Sequence, residues 1–121
     1  MIRFASVHLD NWLADKKRKP LVIRGARQVG KTWMVRDLSR RNDLKLIELN
    51  FERNPTLADL FTSNNPKEIL KNLESEFETS IDPDSSLLFL DEIQAVPEMF
   101  ARLRWFKEDI ENLPFIAAKA S

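Results

Sequence analysis

Arg24-Gly25-Ala26-Arg27-Gln28-Val29-Gly30-Lys31-Thr32 is the stretch from which the fold of this chain is read. Its spacing is G-x-x-x-x-G-K-T, a turn with glycine at both ends that runs into a Lys-Thr pair. The sequence holds two glycines in 121 residues, and both stand at the two glycine positions of this stretch. An average chain is about 7% glycine, so the other turns here are left to Asn, Asp, Ser and Pro. A phosphate chain is held by many hydrogen-bond donors and positive charge, with no side chains in the way. Successive backbone N–H groups of such a loop, with the dipole of the helix that follows, supply the donors. Gly25 and Gly30 allow backbone angles and a close approach that other residues resist. Lys31 brings an ammonium to the β- and γ-phosphates, and the Thr32 hydroxyl can ligate Mg²⁺. By chance the pattern arises on the order of once in a few hundred chains of this length.

The flanks have the form the motif requires. Leu21-Val22-Ile23-Arg24, opened by Pro20, is a short β-branched run of the kind buried in parallel sheets. After the loop, Met34, Val35 and Leu38 recur at helical spacing. Strand, loop and helix follow in order. Asn42-Asp43 turns the chain into a second strand over Leu44–Phe51.

A second motif lies downstream. Leu87-Leu88-Phe89-Leu90 is the most apolar run in the sequence, and it ends in Asp91-Glu92. An acid at the carboxyl end of such a strand sits where open α/β sheets place ligands, and Asp91 is the candidate second anchor for Mg²⁺. Glu92 is suited to polarise an attacking water as general base. A lone Asp-Glu pair reads as a surface turn; behind this strand and after that loop it reads as chemistry. A glutamate directly after the magnesium aspartate is a habit of the hydrolysing, additional-strand group of phosphate-loop proteins. No N/T-K-x-D guanine-reading motif occurs, so ATP is favoured over GTP.

The remaining segments are scaffold. Residues 3–15 read as a short amphipathic helix that carries His8 as a packing residue. Lys16–Lys19 is a basic connector to the first strand. Residues 52–65 are polar, with a small apolar knot at Leu57, Leu60 and Phe61. Asn65-Pro66-Lys67-Glu68 combines an Asn cap, proline at the first helical position and an acid in the first turn. It opens a helix lined by Ile69, Leu70, Leu73 and Phe77. Residues 81–85 form a turn-rich connector. A further helix opens near Pro97 with Met99, Phe100, Leu103, Phe106 and Ile110 inward, Trp105 and Phe106 being core rather than a ligand platform. Phe115–Ala118 begins a last strand.

Composition bounds the function. With 43% hydrophobic and 31% charged residues the chain is an ordinary globular one, of single-domain length. Formal net charge is zero, which argues against a nucleic-acid or membrane-surface role. The absence of cysteine excludes disulfides and thiolate metal sites, and one histidine leaves no histidine-based metal centre. No run approaches the ~20 apolar residues of a membrane span, and the N-terminus lacks an apolar signal core; a cytoplasmic location is expected.

The extended strings Lys19–Thr32 (K-P-L-V-I-R-G-A-R-Q-V-G-K-T) and Leu88–Gln94 (L-F-L-D-E-I-Q) resemble a prokaryotic group of AAA-type ATPases. In that group an N-terminal ATPase domain precedes a C-terminal domain of unknown function. Leu49-Asn50-Phe51-Glu52 and Leu103–Lys107 fit the same pattern. The resemblance implies an α/β, three-layer P-loop NTPase fold of the additional-strand group, with a partial parallel sheet of about four strands. The expected order is the P-loop strand, the last strand, the Asp91 strand and the Leu44–Phe51 strand. It also implies ATP binding at Gly25, Ala26, Arg27, Gln28, Val29, Gly30, Lys31 and Thr32, and Mg²⁺ held by Thr32 and Asp91. Catalysis falls to Glu92 with Lys31, and Gln94 is a candidate for a polar contact near the γ-phosphate.

Members of the group continue the last strand into a small-polar Gly-Ser or Ser-Ser segment, where this sequence has Lys119-Ala120-Ser121. Residues 1–121 therefore read as a single, shortened P-loop domain, with residues 1–19 as N-terminal helix and connector. That reading expects an exposed edge at the P-loop strand and weakened hydrolysis. A non-catalytic nucleotide-binding fragment, or a protein-interaction module with a vestigial site, is the alternative. A nucleic-acid-linked switch through Lys16–Lys19, Arg24 and Arg27 is a third reading. Self-association or a protein partner is left open.

Overall fold

The computed structural model describes residues 9–15, 21–25, 29–63, 65–99, 101–102 and 113–120. Within them, β1 (Leu21–Gly25) leads into α1 (Val29–Arg41) and β2 (Lys45–Asn50). A 3₁₀ helix (Pro55–Phe61) and α2 (Pro66–Phe77) follow, then β3 (Ser86–Asp91), a 3₁₀ turn (Ile93–Ala95) and β4 (Phe115–Ala120). The strands form one sheet in the order β1-β4-β3-β2, and every neighbouring pair is parallel. This is the order expected from the resemblance.

The alternation of side chains across the sheet builds two cores. On one face, Leu87 and Phe89 of β3 and Ile116 and Ala118 of β4 pack with Val35 and Leu38 of α1. On the other, Leu88, Leu90, Phe115 and Ala117 pack with Ile69 and Leu73 of α2 and with Phe61, Ile93, Val96 and Met99. Helices on both faces of a parallel sheet make three layers. β3 is buried over Ser86–Leu90 because it serves both cores, which is why its sequence is continuously apolar rather than alternating.

The helical residues 9–14 add Leu9, Trp12 and Leu13 to the α1 side. They are tied to α1 by Arg41, whose Nη1 lies 2.8 Å from Asp10 Oδ1. The rest of the expected 3–15 helix, with His8, lies outside the described residues, as do Lys16–Lys19. The turn at residues 97–98 precedes the helical residues 99, 101 and 102. Met99 is buried as expected; Phe100 and residues 103–112 lie outside the description.

The apolar knot expected at Leu57, Leu60 and Phe61 is carried by the 3₁₀ helix. Its repeat of about three residues directs Leu57, Ala58, Leu60 and Phe61 toward the α2-side core, and Arg102 Nη1 donates to Phe61 O at 2.7 Å. The α2 cap is as read: Asn65 Oδ1 accepts from Lys67 N at 3.0 Å with Pro66 at the first helical position. Glu68, however, accepts from the Ser63 hydroxyl, and it is that hydroxyl which caps Asn65 N.

With two glycines placed in the loop, left-handed backbone falls on other residues: Asp43 (φ 52°), Glu78 (φ 53°) and Glu92 (φ 57°). Among the described residues no helix is long and apolar enough to cross a membrane.

Candidate functional site

The site forms at the carboxyl ends of the strands, where β1 gives way to α1 and β3 ends at Asp91. Ala26, Arg27 and Gln28 lie outside the described residues, so the loop is seen through its two supports, Gly25 closing β1 and Val29-Gly30 opening α1. Gly30 is helical, and a Cβ built on it would meet no atom of the described residues within 4 Å. It stands at the helix N-terminus, where backbone N–H groups have no intrahelical acceptor.

Lys31 is buried, 8% exposed, and its Nζ donates to Lys119 O at 3.3 Å. This contact exists because β4 lies directly beside β1, with Arg24 opposite Lys119 and Gly25 opposite Ala120. One residue on, Thr32 Oγ1 donates to Asp91 Oδ2 at 3.5 Å across 59 residues of sequence. The two motifs thus meet. Asp91 is fixed from the neighbouring strand as well: Asn50 is its register partner, and Phe51 N donates to Asp91 O at 3.1 Å.

Burial pushes the Asp91 carboxyl above its ordinary value, and the nearby Glu48 carboxylate pushes the same way. The backbone N–H of Glu92, the Lys31 ammonium and the Thr32 hydroxyl act against this rise. Glu48 is itself held by Arg36, with Nε–Oε1 at 2.9 Å and Nη2–Oε2 at 2.8 Å, a bidentate pair. That bond is the main reason the Arg36 guanidinium titrates even higher than usual. Arg36 stands one turn beyond Thr32, so the α1 face over Asp91 carries a paired positive and negative charge. Periodicity gave no sign of this pair; the signal lies in the register, which sets Glu48 on the α1 face of β2.

Glu92 follows Asp91 in the left-handed conformation, φ 57° and ψ 45°, and is 5% exposed. Gln94 Nε2 donates to Glu92 Oε2 at 3.4 Å.

These residues suit a magnesium–nucleotide. A hydroxyl and a carboxylate are hard oxygen donors of the type Mg²⁺ takes, one or two from protein and the rest from water and phosphate. A partly buried carboxylate whose charge is opposed by burial is a place where a cation is welcome. Among the described residues no cluster of three His, Cys, Asp or Glu groups could hold a metal by itself. A buried ammonium beside a helix N-terminus has the chemistry that suits an anion.

The chain matches the sequence profile of a family described as AAA domain over residues 17–121. No curated protein matches it.

Proposed function

The chain belongs to the AAA domain family, and from that premise we propose that it binds ATP with Mg²⁺ at the Gly25–Thr32 loop and hydrolyses it. The observation that carries this reading is the approach of Thr32 Oγ1 to Asp91 Oδ2, 3.5 Å, with Glu92 next in the chain. It joins the phosphate loop to an acid pair at the end of the central strand.

In this mechanism the loop N–H groups and Lys31 hold the phosphates. Thr32 and Asp91 anchor Mg²⁺, which when bound neutralises charge on the β- and γ-oxygens. Glu92 takes a proton from a water as the water oxygen bonds to the γ-phosphorus. The bond from that phosphorus to the β–γ bridging oxygen breaks, and its electron pair leaves on ADP. Lys31 balances the charge that grows on the phosphates.

A second reading, nucleotide binding without turnover, is favoured by the burial of Glu92. Phosphate release from ATP separates the two. The wild type turns over, and Glu92→Gln binds ATP but releases phosphate ~10²–10⁴-fold more slowly. A folded wild type that binds ATP and releases none supports the second reading.

A further inference from the structure

Glu92 occupies a backbone conformation in which a β-carbon is crowded, and glycine would avoid that cost. Its reward is the direction the chain takes next. From Glu92 the backbone folds into a single tight turn, with Ala95 N donating to Glu92 O at 3.2 Å and Val96 N to Ile93 O at 3.0 Å. Ile93 and Val96 are buried in the α2-side core with Leu90 and Ala117. Gln94 stands between these two anchors. Its Nε2 donates to Glu92 Oε2 at 3.4 Å.

We propose that Gln94 is a positioning residue that fixes the Glu92 carboxylate for proton transfer. The proposal rests on Glu92 being the base, as read above. A carboxylate that accepts this bond at Oε2 is held in one orientation, and the amide, which is neutral, does not itself take the proton. The step it serves is the one already written: water's proton passes to the Glu92 carboxylate while the water oxygen bonds to the γ-phosphorus and the β–γ bridging bond breaks. Gln94 acts only through Glu92. A glutamine that merely stiffened the turn would instead lower stability without sparing nucleotide affinity.

Three measurements on the full chain test this, each with a thermal melt to establish folding. In the nucleotide-free protein, the ¹H–¹⁵N signals of the Gln94 side-chain amide move in Glu92→Ala; unmoved signals overturn the contact. Gln94→Leu lowers kcat about tenfold, part of the ~10²–10⁴-fold that a positioned base contributes, and leaves the Kd for Mg-ATP unchanged. Added to Glu92→Gln, Gln94→Leu lowers the residual rate no further. Gln94→Ala reports the same pattern if the leucine variant does not fold. Unchanged kcat, or losses that multiply in the double variant, overturn the positioning role and leave Glu92 as base. Wild-type binding without turnover overturns both assignments.

Discussion

The Thr32 hydroxyl, in the first turns of α1, donates to Asp91 Oδ2 at the end of β3 across 3.5 Å. Two groups from opposite halves of the chain thereby share one corner of the site. If that corner holds Mg²⁺, the ion must couple to nucleotide affinity. We expect the wild type to bind ATP at least tenfold more tightly with Mg²⁺ than with chelator, about 1.4 kcal/mol or more. Asp91→Asn should lose most of that difference. Titrations with and without Mg²⁺ on both proteins check this; an equal Mg²⁺ response in Asp91→Asn contradicts the assignment.

Asp37 joins Arg40 Nη2 at 2.6 Å and Arg41 Nε at 2.7 Å, while Arg41 also reaches Asp10. The hydrogen bond from Arg41, followed by that from Arg40 and opposed by burial, holds the Asp37 carboxyl below its ordinary range. The folded state therefore binds this proton more weakly than the unfolded state. The stabilisation is complete above the unfolded value of about 4 and is lost as pH falls through the lowered native value. Stability curves in urea between pH 6 and pH 2.5 should show a shallower acid decline for Asp37→Asn than for the wild type. Parallel declines would remove Asp37 from the account.

Ser86 Oγ is buried with no hydrogen-bond partner among the described residues. A buried hydroxyl without a partner costs on the order of 1–3 kcal/mol. Ser86→Ala should raise the unfolding free energy by about 1 kcal/mol, seen as a higher urea midpoint at unchanged m-value. A loss of stability would mean that the hydroxyl is satisfied in solution.

Glu78 ends α2 in the left-handed region, φ 53° and ψ 44°, with its N–H on Glu74 O and Thr79 N on the same carbonyl at 3.1 Å. Glycine is the usual residue at such an end. Glu78→Gly should stabilise the chain by roughly 0.5–1 kcal/mol, the relief of left-handed strain less glycine's entropy in the unfolded chain. Thermal melts that show a loss would mean that the glutamate side chain contributes more than its backbone costs.

The strands and the phosphate loop were legible because each rests on a local pattern, whereas the strand order followed from the family resemblance. Leu87–Leu90 announces a strand buried on both faces, and the glycine spacing announces what precedes α1. The 3₁₀ helix at Pro55–Phe61 was not legible, because its apolar residues recur every third position and were too few to show a period. The Arg36–Glu48 pair and the Lys31–Lys119 contact join elements brought side by side only by the sheet. The Gln94–Glu92 bond spans two residues, yet it depends on a left-handed glutamate, which sequence disfavours. Local pattern carries local geometry; tertiary register carries the rest.

The central claim is that the Gly25–Thr32 loop is a nucleotide site, and isothermal titration of Mg-ATP into the folded chain tests it most directly. Lys31 Nζ, now on Lys119 O at 3.3 Å, is expected to contribute charge-assisted bonds of about 1.5–3 kcal/mol to the phosphates. The wild type should therefore bind saturably at one site, and Lys31→Ala should bind roughly 10–100-fold more weakly. No heat from a folded wild type, or equal affinity in Lys31→Ala, would contradict the account.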